Sequence, residues 1–239
     1  MTLLPEQVIN TRTINTNPSY GLTLVLGLPL PAALDEQIQQ MHDELEGIAP
    51  GQFGWYAPYH RHITVIAPLR GRYRTHPPLQ MNELPLPLAP FVQALNDCFS
   101  QLPRLVLQPV GAHLGNNGMV SVQFAGGEQI KPHISRFLSV FPELDPPKRQ
   151  NYDPGLLHHT TGYLTALPTV AQQEKIAACL AQRQFTGVMP VATIWLVHYA
   201  NRTLRQVVGR LPFQLQQVNE VTAATFLAQL HIRAGEGEV

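Results

Sequence analysis

Cysteine is nearly absent from this 239-residue chain. The two present, Cys98 and Cys179, fall at apolar positions of expected helices, and their spacing matches no zinc or redox motif, so both read as reduced core residues. Charge is scarce and balanced. Sixteen Lys and Arg against sixteen Asp and Glu leave no net charge, which removes a global electrostatic case for nucleic-acid or membrane binding but still allows a local basic groove. No apolar run approaches a membrane-spanning length, and MTLLPEQVINTRTINTN has no basic region followed by an apolar core. The expectation is a soluble, cytoplasmic protein. With 44% hydrophobic residues, residues 1–239 are read as one bilobal domain.

What is present is an order of elements that occurs twice. GLTLVLGLPL (21–30) reads as a strand, and Leu34, Ile38, Met41, Leu45 and Ile48 then recur at helical spacing. A strand at about 62–69, a proline-broken connection and a helix marked by Phe91, Leu95, Cys98, Phe99 and Leu102 follow. RLVLQPVGAHL and MVSVQFA flank Gly115-Asn116-Asn117-Gly118 and suggest a hairpin. The second half repeats the sequence of strand, helix (Ile130, Ile134, Phe137, Leu138, Phe141), proline-broken loop (142–154), strand (about 157–167) and helix. Thr169 and Gln172 form a capping box for that last helix. TIWLVHYA and LRQVVGRLPF suggest a final antiparallel pair before a helix at about 220–232. Residues 1–19 are an N-terminal extension, and the duplicated lobes lie within about 20–213.

Each half carries the same short motif on its middle strand. His62-Ile63-Thr64 and His159-Thr160-Thr161 both place a histidine two residues before a threonine, and residues i and i+2 of a strand share a face. One such triplet is a trivial pattern. Two, at matching places in matching halves, put two imidazoles and two hydroxyls at the disposal of one cleft. Hydrolysis of a 2',3'-cyclic phosphate needs a water deprotonated on one side of phosphorus and the departing oxygen protonated on the other, and imidazole, with an ordinary pKa of about 6.5, serves either role. Thr64 and Thr161 would donate to the non-bridging oxygens.

On these motifs the chain resembles the two-histidine (2H) phosphoesterase superfamily, which includes 2'-5' RNA ligase-like proteins and cyclic phosphodiesterases. The resemblance spans most of residues 20–213. It implies an α+β, bilobal, pseudo-two-fold duplicated fold with two antiparallel sheets flanked by helices around a central cleft. It also implies no cofactor or metal, catalytic residues His62, Thr64, His159 and Thr161, a nucleotide or RNA end as substrate, and a near-symmetric site in which weak reverse ligation is allowed. No membrane and no obligate protein partner are implied.

The second motif admits another register, His158 with Thr160. A slip of one residue reverses every side chain's face, so the two registers exclude each other. His159 with Thr161 is preferred because Tyr163 then continues the shared face while Gly162, Leu164 and Ala166 turn to a core.

Trp55, Tyr56, Tyr59 and Tyr163 are candidates for stacking on a base, although the first three would equally pin their loop to the body. Arg70, Arg72, Arg74, Lys148 and Arg149 are weaker candidates for phosphate contacts. His113, His133 and His198 receive no role. Two other functions compete: a binding module that holds a nucleotide or RNA end in the same cleft without turnover, and a metallohydrolase built on His60, His62, His158 and His159. The second lacks a carboxylate or cysteine at ligand spacing.

Overall fold

Proline and one-sided apolar spacing set the element boundaries. In the computed structural model, which describes residues 3–16, 18–67, 80–84, 87–141, 156–201 and 203–232, the chain opens with α1 (Pro5–Thr16), Pro5 taking the first helical position, where no amide is needed. The first repeat runs β1 (Gly21–Leu26), α2 (Ala32–Ile48), β2 (Phe53–Trp55), β3 (Ile63–Ile66), α3 (Leu88–Gln101) and β4 (Leu105–Leu114). The second runs β5 (Met119–Ala125), α4 (Ile130–Val140), β6 (Leu157–Leu164), α5 (Val170–Gln182), β7 (Met189–Val191) and β8 (Thr193–Tyr199), followed by β9 (Val207–Gln214) and α6 (Ala223–Gln229). The Thr169 capping box at the start of α5 is present, with Thr169 accepting from the Gln172 amide.

The nine strands form one antiparallel sheet in the order β7-β4-β5-β6-β3-β1-β8-β9, with β2 on the second half of β6. One lobe contributes β3-β1-β8-β9 and the other β6-β5-β4-β7, and the pairing of β3 with β6 joins them. Each repeat lends its final strand to the opposite lobe: β4 lies beside β5, and β8 beside β1. The lobes are therefore not the two sequence halves, although each half keeps the expected order of elements. Register shifts in the β1–β3, β4–β5, β5–β6 and β8–β9 ladders add local twist to a strongly curled sheet.

One face of the sheet carries the core. Leu24 and Leu26 of β1, Ile63 of β3, Val120, Val122 and Phe124 of β5, and Leu196 of β8 pack with Ile38, Met41 and Leu45 of α2, Phe91, Leu95 and Phe99 of α3, and Phe137 of α4 in a single cluster. The opposite, concave face bears a smaller cluster of Val25, Leu28, Val197, Tyr199 and Leu204. α1 ties the lobes together at one end. Thr11 donates to the Asn117 carbonyl in the β4–β5 turn, while Asn201, beyond β8, donates to the Asn15 carbonyl. Among the described residues no helix is long and apolar enough to cross a membrane.

Candidate active site

The site follows from one cross-strand pair. Ile63 of β3 lies directly opposite His159 of β6 in an antiparallel ladder, and directly opposed residues project to the same face. Ile63 is wholly buried in the core, so His159 faces the core as well, and its own exposure is 0%. Its other neighbour agrees, since Val122 of β5, also in the core cluster, pairs with His159. Continuing the β3–β6 register by one residue each way sets His62 opposite Thr160 and Thr64 opposite His158, all four on the concave face. On that face Thr64 also lies opposite Val25, Thr160 opposite Ser121, and His158 opposite Gln123.

The preferred register of the second motif is thus corrected. The structure brings His62 and Thr64 together with His158 and Thr160 on one face of the sheet, and turns His159 to the other, into the core. The physical reason is a bulge. Thr160 pairs with Ser121 and Gly162 with Val120, leaving Thr161 as an extra residue in β6. Gly162 and Leu164 are buried and face the helices as expected, whereas Ala166 lies exposed beyond the end of β6, and strict alternation does not carry back across position 161. Thr161 is itself buried, and its hydroxyl donates to the Val120 carbonyl at 3.4 Å.

His62 sits just before β3 and is only 7% exposed. Its Nδ1 lies 2.7 Å from the His60 carbonyl. A carbonyl can only accept, so Nδ1 carries the proton and Nε2 keeps its lone pair. Burial, followed by the like charge of His60, outweighs that hydrogen bond and pulls the His62 pKa down to about 4, leaving the ring neutral at pH 7. His60 is lowered by burial, then by the nearby Arg205 and Arg210. His158 is exposed and meets the edge of His113 of β4, ring centroids 5.4 Å apart. His113 is opposite Ser121, which is opposite Thr160, so this third histidine occupies the same face. Burial, then His158, lowers its pKa. No sequence signal assigned His113 a role; only the β4–β5–β6 register brings it to the motif.

Arg61 fixes the chain entering the first motif from below. Buried on the helix side, it forms an ion pair with Asp35 and donates to Gln39 Oε1 at 3.1 Å and to the Tyr56 carbonyl at 3.2 Å, with His42 Nδ1 at 3.3 Å. Burial, then Arg61, brings the His42 pKa down to about 3. His159 lies in the same electrostatic neighbourhood. Burial first, then His62, Arg61 and His42, holds it well below the ordinary value, and neither ring nitrogen has a hydrogen-bond partner.

Three of the four candidate stacking rings are built into the body. Trp55 is stacked between His42, at 3.8 Å, and Phe53, at 4.6 Å, and its Nε1 donates to Glu46. Tyr56 is buried and donates to Asn15, and Tyr163 is buried against its edge. Tyr59 alone is open, at 66% exposure. Cys98 is buried and free, and Cys179 is free and half-buried. Arg70, Arg72, Arg74, Lys148 and Arg149 lie outside the described residues. His198 is buried, with Nδ1 donating to the Leu230 carbonyl at 2.7 Å. Among the described residues no three His, Cys, Asp or Glu side chains stand close enough together to hold a metal ion.

The β3–β6 pairing thus sets two histidines and two threonines, one pair from each motif, on one face of the sheet where the two lobes meet. No family model matches the chain, and no curated protein matches it in sequence. Similar solved structures include TT0787 of Thermus thermophilus, 16% identical over 83% of this chain and all of that one, with a TM-score of 0.50. ATU0111, a conserved protein of unknown function from Agrobacterium tumefaciens strain C58, is 14% identical over 90% of this chain and 94% of its own, also with a TM-score of 0.50. Escherichia coli LigT, in a complex with 3'-AMP, is 15% identical over 83% of this chain and 99% of its own, with a TM-score of 0.45. The first two share this chain's overall fold.

Proposed function

We propose that this protein is a cyclic phosphodiesterase of the two-histidine superfamily, hydrolysing 2',3'-cyclic phosphate or 2'-5'-linked ribonucleotide and RNA ends without a metal. The observation that carries this reading is the Ile63–His159 pair, because it centres one motif on the other. The two imidazoles then occupy one diagonal of a four-residue square and the two threonines the other. Diagonal neighbours across an antiparallel pair are about 7–8 Å apart, which leaves room for a phosphoryl group between rings that reach it from opposite sides.

The roles follow from the environments. His62, neutral and with Nε2 free of its proton, takes a proton from the attacking water. As the new P–O bond forms, the bond to the departing ribose oxygen breaks, and His158 in its protonated form supplies the proton that oxygen needs. Thr64 and Thr160 donate hydrogen bonds to the non-bridging oxygens, where negative charge builds. A ribose hydroxyl in place of the water, deprotonated by His62 while His158 protonates the departing oxygen, opens the cyclic phosphate to a phosphodiester, so weak ligation accompanies hydrolysis.

The test is a screen of purified protein, with and without excess chelator, against 2',3'-cyclic nucleotides and 2'-5'-linked dinucleotides. Turnover with a single regioisomeric monophosphate as product supports the reading. Saturable binding without turnover identifies a nucleotide-binding module instead, and loss of activity on chelation identifies a metallohydrolase.

A further inference from the structure

The mechanism gives no part to His113, although its ring touches the proposed acid. His113 of β4 lies opposite Ser121 of β5, Ser121 lies opposite Thr160 of β6, and His158 stands two residues before Thr160. Positions two strands apart are about 9.5 Å from each other at the usual spacing. The two imidazole centroids are nevertheless only 5.4 Å apart, with the rings at 69°. Both side chains therefore lean toward each other over β5, where Ser121, small and buried, leaves room for the rings above it.

That lean has a direction. It draws His158 toward β4, away from β3 and His62, and so keeps open the space in which the phosphoryl group sits. An exposed histidine turns freely about two side-chain bonds, whereas misplacing a catalytic group by about 1 Å costs about 10²-fold in rate. A ring packed against its side removes part of that freedom. His113 is the better anchored of the two: it is half-buried where His158 is exposed, and its Nδ1 is buried without a hydrogen-bond partner among the described residues. The same placement decides which ring carries the charge. Protonating His113 would bury an N–H at Nδ1 with nothing to accept it, and two imidazolium ions this close repel. The other neighbours of His158 in the sheet are Gln123, Thr160 and Thr64, with His62 across the square, and no strand carries an Asp or Glu to offset a second positive charge.

We propose that His113 is a positioning residue for His158: its neutral ring holds the acid's imidazole beside the phosphoryl group and leaves the pair's single proton on His158. This rests on the proposed phosphodiesterase reading and adds a residue to its site.

The experiment measures kcat and KM across pH on 2',3'-cyclic AMP for the wild type, H113A, H113F and H113K, with a thermal melt of each. H113A should lose about tenfold or more in kcat at unchanged KM, since the acid is present but no longer held. H113F keeps a neutral ring against His158 and should return to within about threefold of wild type. H113K sets a fixed positive charge beside the acid. It should bring the alkaline limb of the profile, where His158 loses its proton, down by about one pH unit or more, whereas loosened packing alone would lower Tm and leave that limb in place. Normal kcat in H113A, an H113F as slow as H113A, or an alkaline limb unmoved in H113K overturns the inference. If the wild type turns over no cyclic nucleotide, the phosphodiesterase reading fails, and NMR titration of the His158 Cε1–H still decides the pairing. A midpoint lowered by about one pH unit in H113K and little changed in H113F supports it; the same midpoint in wild type, H113F and H113K overturns it.

Discussion

Replacing His158 by alanine and His159 by leucine separates the two faces of β6 by a single position. His158→Ala removes a proton donor from the concave face, and loss of a general acid costs about 10²–10⁴-fold in rate, which is about 3–5 kcal/mol of barrier at 1.36 kcal/mol per tenfold. The side chain is exposed, so thermal stability should hold. His159→Leu acts on a ring with 0% exposure and no hydrogen-bond partner at either nitrogen. A buried polar group left unsatisfied costs about 1–3 kcal/mol, so an apolar side chain of similar size should leave Tm unchanged or raise it, at about 2–4 °C per kcal/mol for a chain of this size. Turnover in His159→Leu should stay within a few-fold of wild type. The assay is kcat/KM on one 2',3'-cyclic nucleotide beside a thermal melt. A folded His158→Ala of near-normal rate, together with an inactive but folded His159→Leu, would refute the face assignment.

Three further outcomes follow. Thr160→Val removes a hydroxyl from the concave face at nearly constant shape and should cost about 1–3 kcal/mol in barrier height, whereas Thr161→Val loses only a long bond to the Val120 carbonyl and should change the rate little, both read from kcat/KM. Stability should fall with acid: an unfolded histidine takes up a proton near pH 6.5, while folded His62 and His42 resist protonation down to about 4 and 3, so stability is full above pH 6.5 and declines as pH drops through that window. His62 alone accounts for about 3 kcal/mol by pH 4, and melting curves between pH 4 and 8 that show no such decline would contradict its burial as a neutral ring. Gly162→Ala should lower Tm measurably, because an added Cβ would lie 2.3 Å from the Trp55 ring, which is itself clamped by His42 and Phe53, and overpacking of this kind costs about 1–3 kcal/mol.

The helix faces and the hairpin were legible because their apolar spacing is one-sided: Leu34, Ile38, Met41 and Leu45 all reach the core, as does the Thr169-capped helix through Ile176 and Leu180. α1 was not, since PEQVINTRTINT has no apolar stripe and docks largely through Thr11 and Asn15. The short strands β2 and β7, three residues each, exist only through their partners β6 and β4. In the first motif His62, Ile63 and Thr64 alternate without interruption, with Ile63 in the core and Thr64 exposed, so strand periodicity alone sets their faces. The second was misplaced by one residue, because a bulge at Thr161 is decided by the pairing with β5 and leaves no mark in HHTTG. Trp55 illustrates the same limit from the other side. A sequence shows an aromatic ring near a motif, but only packing tells whether its faces are occupied.

The most direct test of the central claim is a double-mutant cycle on His62 and His158, measuring hydrolysis of 2',3'-cyclic AMP in excess EDTA with folding verified for each variant. The account predicts chelator-independent turnover in the wild type, a loss of about 10²–10⁴-fold in both His62→Ala and His158→Ala, and a double variant scarcely slower than the worse single one, because the two rings act on one transition state. Losses that multiply, or a wild-type rate that EDTA abolishes, would contradict it.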